Sequence, residues 1–401
     1  MKQIVIVGGG FAGMWAALVA AREIARSTEQ VGITLISRDD HLTVRPRLYE
    51  VFTEKFRAPF APVLSPLGVR LKIGNVSAID HQDRTVHVTG SGGEREPLKY
   101  DRLVLAAGSE QRPLEIPGAE FTHSIDTFVA AQAFDQHLRE VLRAPARPGA
   151  LTFVIVGAGF TGIELATEMR NRIRVHSDAE TAQKARVLLI ERDSVVGPDL
   201  GANPRPHVEA ALSETRVETY LGAGIAKIEQ DAITLLSGAR IETATVIVAA
   251  GLRANPLGSA LNSELDRQGR LVVDENLRVK GAPGVFAAGD IAHAKTDDSH
   301  VALMSCQHAV PMGKFAGYNV AHDLIGTPLR AYGQPVYVTC LDLGEAGALL
   351  TQGWDRVPEM SGAEGKKLKQ MINTQWIYPP TGTRDAILAA ADIDAPWPPA
   401  I

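Results

Sequence analysis

Two six-residue segments constrain this chain more than anything else in it. Gly8-Gly9-Gly10-Phe11-Ala12-Gly13 and Gly157-Ala158-Gly159-Phe160-Thr161-Gly162 share the spacing G-x-G-x-x-G. Each follows a short apolar run of strand type, Gln3-Ile4-Val5-Ile6-Val7 in one case and Leu151-Thr152-Phe153-Val154-Ile155-Val156 in the other. Each precedes an apolar stretch read as a helix, from about Ala12 to Arg26 and from about Thr161 to Arg174. The first glycine of such a turn reverses the chain, the second lets backbone approach a pyrophosphate, and the third lets helix pack on strand. The helix N-terminus then faces the phosphate charge. One such match is weak evidence, but two in the same strand-turn-helix context are strong. Gly8, Gly10, Phe11, Ala12 and Gly13 are therefore candidate nucleotide-binding residues, and so are Gly157, Gly159, Phe160, Thr161 and Gly162.

A second echo supports the duplication. Leu103-Val104-Leu105-Ala106-Ala107-Gly108 and Val246-Ile247-Val248-Ala249-Ala250-Gly251 are buried strands with the same exit. Ala107, Gly108, Ala250 and Gly251 join the candidate binding residues. A single further strand, Gly284-Val285-Phe286-Ala287-Ala288, delivers Gly289 and Asp290 to a new segment.

Composition agrees with a globular α/β chain. Of 401 residues, 45% are hydrophobic and 22% charged, close to the ordinary soluble range. A net charge of -5 argues against a nucleic-acid partner. Two cysteines, Cys306 and Cys340, are too few for a disulfide framework and fit a reducing compartment. No apolar run is long enough to span a bilayer. His293, His300 and His322 have no metal-ligand spacing, and no metal is expected.

With these motifs in hand, the chain resembles the flavin-dependent pyridine nucleotide oxidoreductases with two dinucleotide-binding domains. The resemblance covers about residues 1–325. It implies that FAD lies on the first glycine turn and NAD(P)H on the second. It also implies that Gly289-Asp290 meets the flavin ribityl chain, so the FAD domain must be discontinuous. The fold class expected is α/β: two interleaved Rossmann-like domains for FAD and NAD, plus a small α+β C-terminal region. The divisions expected are 1–115 and 256–330 for FAD, 116–255 for NAD(P)H, and 331–401 for interface or membrane docking.

An acid closing the second strand of such a unit normally accepts a hydrogen bond from the ribose 2'-hydroxyl. Glu191 stands there in the second half. It favours NADH over NADPH, although Arg192 beside it leaves NADPH open. In the first half the position holds Ser37, followed by Arg38 and Asp39, which departs from the family pattern. Ser37 and Arg38 are kept as FAD contacts, with an unusual adenosine pocket expected. The resemblance also sets Glu164 near the nicotinamide. On the residues alone, Glu164 can equally be a solvent-facing group at the helix N-terminus.

Residues 38–55 lack the cysteine pair of the family's disulfide reductases. They resemble instead the flavin-side loop of type II NADH dehydrogenases, which His41, Leu42, Pro46, Leu48 and Tyr49 match and Arg45 and Arg47 do not. Arg45 and Pro46 are taken as flavin-site residues. The quinone motif of those enzymes, Ala-Gln-x-x-x-Gln, becomes Cys306-Gln307-His308-Ala309-Val310-Pro311. Gln307 remains, while Pro311 removes a backbone donor and disturbs the helix four residues back. Gln307 and His308, with Glu164, are the candidate catalytic residues, His308 as a proton donor at neutral pH.

Beyond residue 331 the sequence predicts strands at 336–343 and 347–354, then a helix at 364–378. Leu368, Met371, Ile372 and Trp376 share one helix face, and Lys366, Lys367 and Lys369 the other. A basic amphipathic helix can lie on a membrane; packing on its own domain or on a dimer partner is the alternative. The expected activity is hydride transfer from NADH to FAD and on to a small-molecule acceptor, a quinone in the leading reading. A reductase of another small molecule or protein, and a non-catalytic redox sensor, stay open. The expected location is cytoplasmic, with peripheral contact at the inner membrane face left open.

Overall fold

The computed structural model describes residues 1–90 and 92–397. Residues 398–401, the end of the expected C-terminal region, lie outside that range. The first half begins with β1 (Lys2–Val7), α1 (Phe11–Ala25), β2 (Val31–Ser37), β3 (Arg70–Ile73) and β4 (Arg102–Leu105). The second contains β5 (His123–Ser124), α2 (Phe128–Leu142), β6 (Thr152–Val156), α3 (Phe160–His176), β7 (Arg186–Ile190), β8 (Val217–Tyr220) and β9 (Thr245–Val248). The chain then returns through β10 (Val285–Ala287) and α4 (Cys306–Ile325). Last come β11 (Val338–Asp342), β12 (Ala348–Gln352), β13 (Val357–Met360), α5 (Gly362–Met371) and α6 (Arg384–Ala390).

Two five-stranded parallel sheets organise these elements, in the orders β10-β4-β1-β2-β3 and β5-β9-β6-β7-β8. The halves are interleaved, because β10 pairs with β4 of the first sheet after the chain has completed the second. The central strands are almost wholly buried, as their unbroken apolar runs require. Among the described residues, short two-stranded pairs and three three-stranded antiparallel sheets, β11-β12-β13 among them, complete the fold. The third of these strands was not expected, because Val357-Pro358-Glu359-Met360 carries little strand signal.

Both glycine turns are built alike. Gly8 and Gly157 have φ of +113° and +103°, values that only glycine adopts without strain. A Cβ on either would also strike the carbonyl oxygen of Ala106 or Ala249, at the exits of β4 and β9. The small Ala-Ala-Gly exits are thus the counterpart of the glycine turns. Helix α4 packs along α1, and a Cβ on Gly313 or Gly317 would come within 2.4 Å of the carbonyl oxygens of Ala12 or Ala16.

The 364–378 segment corrects one expectation. The α-helix ends at Met371 and continues as a single π-turn, Ile372–Trp376. Of its lysines only Lys367 is exposed. Lys369 is buried against Glu164, and Lys366 pairs with Asp342. Two lysines three residues apart share a helix face, and buried acids on α3 and β11 turn that face inward. The basic outer face that suggested membrane docking is not there.

Candidate active site

The N-termini of α1 and α3 have no side-chain cap and no acidic residue in the first turn. Their first N–H groups are therefore free to meet an anion. A Cβ on Gly10 or Gly159 would meet nothing within 4 Å, so each second glycine borders open space at the helix end. These two cradles fit pyrophosphate. Phe11 and Phe160 each open a helix, and Ala12 approaches Gly289, tying the first turn to the Asp290 segment.

The adenosine positions differ between the halves. Glu191 is buried, and its carboxylate accepts from Ala158 N at 2.7 Å and Asp193 N at 3.1 Å. Its charge is thereby fixed beside the second glycine turn. Ser37 is buried beside Gly9, whose Cβ would come within 2.3 Å of the serine hydroxyl. Arg38 is exposed, and Asp39 accepts from His41 N.

Around Asp290 the structure assembles a polar cluster. Ser109 Oγ donates to Asp290 Oδ2 at 2.6 Å, and Arg45 Nη1 donates to Ser109 Oγ at 2.8 Å. Arg45 also pairs with Asp126 and lies 3.7 Å from Asp290. Burial pushes the Asp290 carboxyl up, and Ser109 and Arg45 draw it back. Arg45 is therefore the anchor of this corner, with Pro46 in the short 3-10 turn that carries it. The two Ala-Ala-Gly exits run into one antiparallel ribbon, Ser109–Gln111 against Leu252–Ala254. Arg112 N donates to Gly251 O, and Asn255 N to Gly108 O. Ala107, Gly108, Ala250 and Gly251 thus lie at the crossing between the halves.

Glu164 is 4% exposed. The solvent-facing alternative is excluded, because its Oε1 accepts from Lys369 Nζ at 2.8 Å and from Asp342 N at 3.0 Å. Burial pushes its carboxyl up to about 7, against the opposing pull of Lys369. Burial lowers Lys369, but Glu164 and other negative neighbours outweigh it, so the ammonium stays charged. The rings of Tyr49 and Phe160 lie 5.6 and 5.8 Å from that ammonium. Burial raises both cysteine thiols to about 11, and neither forms a disulfide.

Helix α4 absorbs Pro311 without breaking. The proline leaves the Gln307 carbonyl without its helical N–H, and Gln334 Nε2 donates to that oxygen at 3.3 Å. The Gln307 amide faces the backbone of Val338, with which it pairs in one of its two flip orientations. His308 is fully buried and holds Gln334 Oε1 through Nδ1 at 3.0 Å. Burial drives its imidazole down to about 4, against the opposing Gln334 bond. A neutral ring at pH 7 supplies no imidazolium proton, which removes the basis for the expected donor role.

Sequence reading missed Ser109, Asp126, Asp342, Lys369 and Gln334 as members of this site. Each meets its site partner from a distant part of the chain, as Asp290 does Ser109, Arg45 does Asp126, Glu164 does Lys369 and Tyr49 does Asp342, and no local spacing announces them.

The matrix of motifs finds its counterpart among known proteins. The model for the pyridine nucleotide-disulphide oxidoreductases matches residues 2–313, and the chain belongs to that family. A Mycobacterium tuberculosis protein described as NADH dehydrogenase-like is 44% identical over 98% of both chains. A type II NADH:quinone oxidoreductase of the same organism is 34% identical, covering 72% of this chain and 67% of its own. The solved structure of NDH2 from Plasmodium falciparum in complex with NADH superposes with a TM-score of 0.79 over 99% of this chain and 98% of that one, at 14% identity, a likeness of fold. The chain is an NADH-dependent flavin oxidoreductase with FAD and NAD(H) as cofactors. Among the described residues no helix is long and apolar enough to cross a membrane.

Proposed function

We propose that this protein passes two electrons from NADH to a quinone-like small molecule. FAD, when bound, supplies the two-electron relay between donor and acceptor. The observation that carries the reading is the buried Glu164–Lys369 pair. Reduction of a quinone by NADH consumes one proton besides the hydride. A metal-centred one-electron acceptor takes up no proton, whereas a quinone oxygen must be supplied with one. A carboxyl pushed up to about 7 is matched to that task at neutral pH.

The remaining residues divide the work. The N–H groups at Gly10–Gly13 and Gly159–Gly162 hold the two pyrophosphates, and Glu191 accepts from the NADH ribose. Its fixed charge repels a 2'-phosphate, so NADH is preferred to NADPH. Arg45, Ser109 and Asp290 would hold the ribityl side of FAD. Relatives named as quinone oxidoreductases support the acceptor class.

One observation favours a second reading. Gln307 is turned to the Val338 backbone, so the amide that survives from the quinone motif is committed elsewhere. An NADH-dependent reductase of a different small acceptor fits that arrangement. Steady-state turnover of the FAD-loaded protein with NADH against menadione and ferricyanide separates the two. Fast menadione reduction supports the first, and ferricyanide reduction alone the second.

A further inference from the structure

Asp342 touches Glu164 but takes no part in the roles above. It ends β11, is buried, and carries the backbone N–H that donates to Glu164 Oε1 at 3.0 Å. Its own carboxylate accepts from three donors. Lys366 Nζ and Gly344 N reach Oδ1 at 2.6 and 2.8 Å, and Tyr49 OH reaches Oδ2 at 2.9 Å. Asn373 Nδ2 donates to the Tyr49 oxygen at 3.2 Å, which leaves the phenol hydrogen for Asp342. Burial, and then the negative charge of Glu164 and Asp342, pushes the phenol up, so it stays a donor.

The turn after Asp342 is held in place by α3. Gly344 has φ of +63°, and a Cβ there would lie 2.2 Å from the carbonyl oxygen of Thr167. Thr167 stands within one helical turn of Glu164. The end of β11 is therefore seated on the same stretch of helix that carries the acid.

Asp342 acts on Glu164 through two of its groups, with opposite effect. The N–H bond favours the Glu164 carboxylate, while the side-chain charge opposes it. Lys366 decides how much of that charge Glu164 feels. Its side chain is 26% exposed, so it joins the buried acids to solvent. The cation bonded to Glu164 itself is Lys369 of α5, with the Tyr49 ring 5.6 Å from its ammonium. The thiols of Cys306 on α4 and Cys340 on β11, raised to about 11 by burial, are uncharged at neutral pH. Glu168, one turn further along α3, is buried, and burial pushes its carboxyl up as well.

We propose that Asp342 is a positioning residue that sets the proton affinity of Glu164, and that Lys366 tempers its charge from the solvent side. The use of that proton on an acceptor rests on the function proposed above; the control of Glu164 by Asp342 does not.

The test reads Glu164 in two ways in the FAD-loaded protein. The infrared carbonyl band of the protonated acid, identified by its loss in Glu164→Gln, is titrated with no acceptor present. The pH limb of menadione turnover is measured alongside. Asp342→Asn keeps the N–H bond and removes the charge, so both should move down by about one pH unit. Lys366→Met leaves the charge with less opposition, so both should move up by about as much. Tyr49→Phe removes a donor from the same carboxylate and should move both up, by less. A merely structural role does not produce shifts of opposite sign. Shifts of the same sign in Asp342→Asn and Lys366→Met, or an unmoved infrared band in both, overturn the proposal. Should Asp342→Asn fail to fold, an unmoved or lowered band in Lys366→Met overturns it. Infrared shifts of the stated signs with a turnover limb that does not follow them support the control of Glu164 and count against its proposed use as proton donor.

Discussion

Glu164 and Lys369 show how much a single buried pair can decide. Both are about 95% buried, and each has the other as a direct partner. Removing the ammonium by Lys369→Met leaves the carboxyl buried and uncompensated, which costs about 3–5 kcal/mol if it stays charged. The Glu164 carboxyl is then expected to titrate well above its present position. In the native protein, menadione-linked turnover should fall as pH rises through about 7, because the protonated donor is lost. Glu164→Gln should remove that limb of the kcat profile and lower kcat at least tenfold, while NADH still bleaches the flavin. A pH profile unchanged in Glu164→Gln would assign the proton to another group. At the NADH end, Glu191→Ala should raise the KM for NADH about tenfold and narrow the margin over NADPH, as measured by kcat/KM with each donor.

At the scale of elements, what was legible in the sequence is what local spacing encodes. Both glycine turns follow six-residue motifs, and α1 and α3 begin one residue earlier than predicted. The returning strand β10 was legible too, through the family resemblance, which implies that Gly289-Asp290 comes back to the flavin held by the first glycine turn. The fate of Pro311 was not. Its local effect, a freed carbonyl, was predictable, but the donor that repairs it, Gln334, comes from beyond the helix. Lys366 and Lys369 failed for the same reason, since their acids lie on α3 and β11. The α1–α4 contact is testable at this scale. Gly313→Ala or Gly317→Ala sets a methyl 2.4 Å from backbone oxygen of α1. Each should destabilise the protein by about 1–3 kcal/mol and weaken FAD retention, read by thermal unfolding and by flavin loss on gel filtration.

Over the whole molecule, the C-terminal segment works as a strap across α1 and α4. Lys314 Nζ donates to Asp392 O and, more weakly, to Ala395 O, Arg22 pairs with Asp392, and Arg330 with Asp394. Ile387 and Ala391 are buried in the core that α1 and α4 share. Deleting residues 384–397 should therefore lower Tm by several degrees, and still leave the NADH half-reaction measurable. Stability should also respond to acid. Burial holds His123 and His308 down to about 4. Folded, each binds fewer protons than it does unfolded below about 6.5, so stability falls as pH falls through that value. Urea unfolding at pH 7.5 and pH 5 checks the sign, and His123→Phe should reduce the difference.

The central claim is that NADH reduces the bound flavin and a quinone reoxidises it. The most direct measurement is anaerobic mixing of the FAD-loaded protein with NADH, followed by menadione, while the flavin absorbance is watched. The structure predicts fast bleaching and fast recovery, each slower with NADPH as donor or with Glu164→Gln in place. Fast bleaching without recovery would contradict the quinone acceptor, and no bleaching by NADH would contradict the account as a whole.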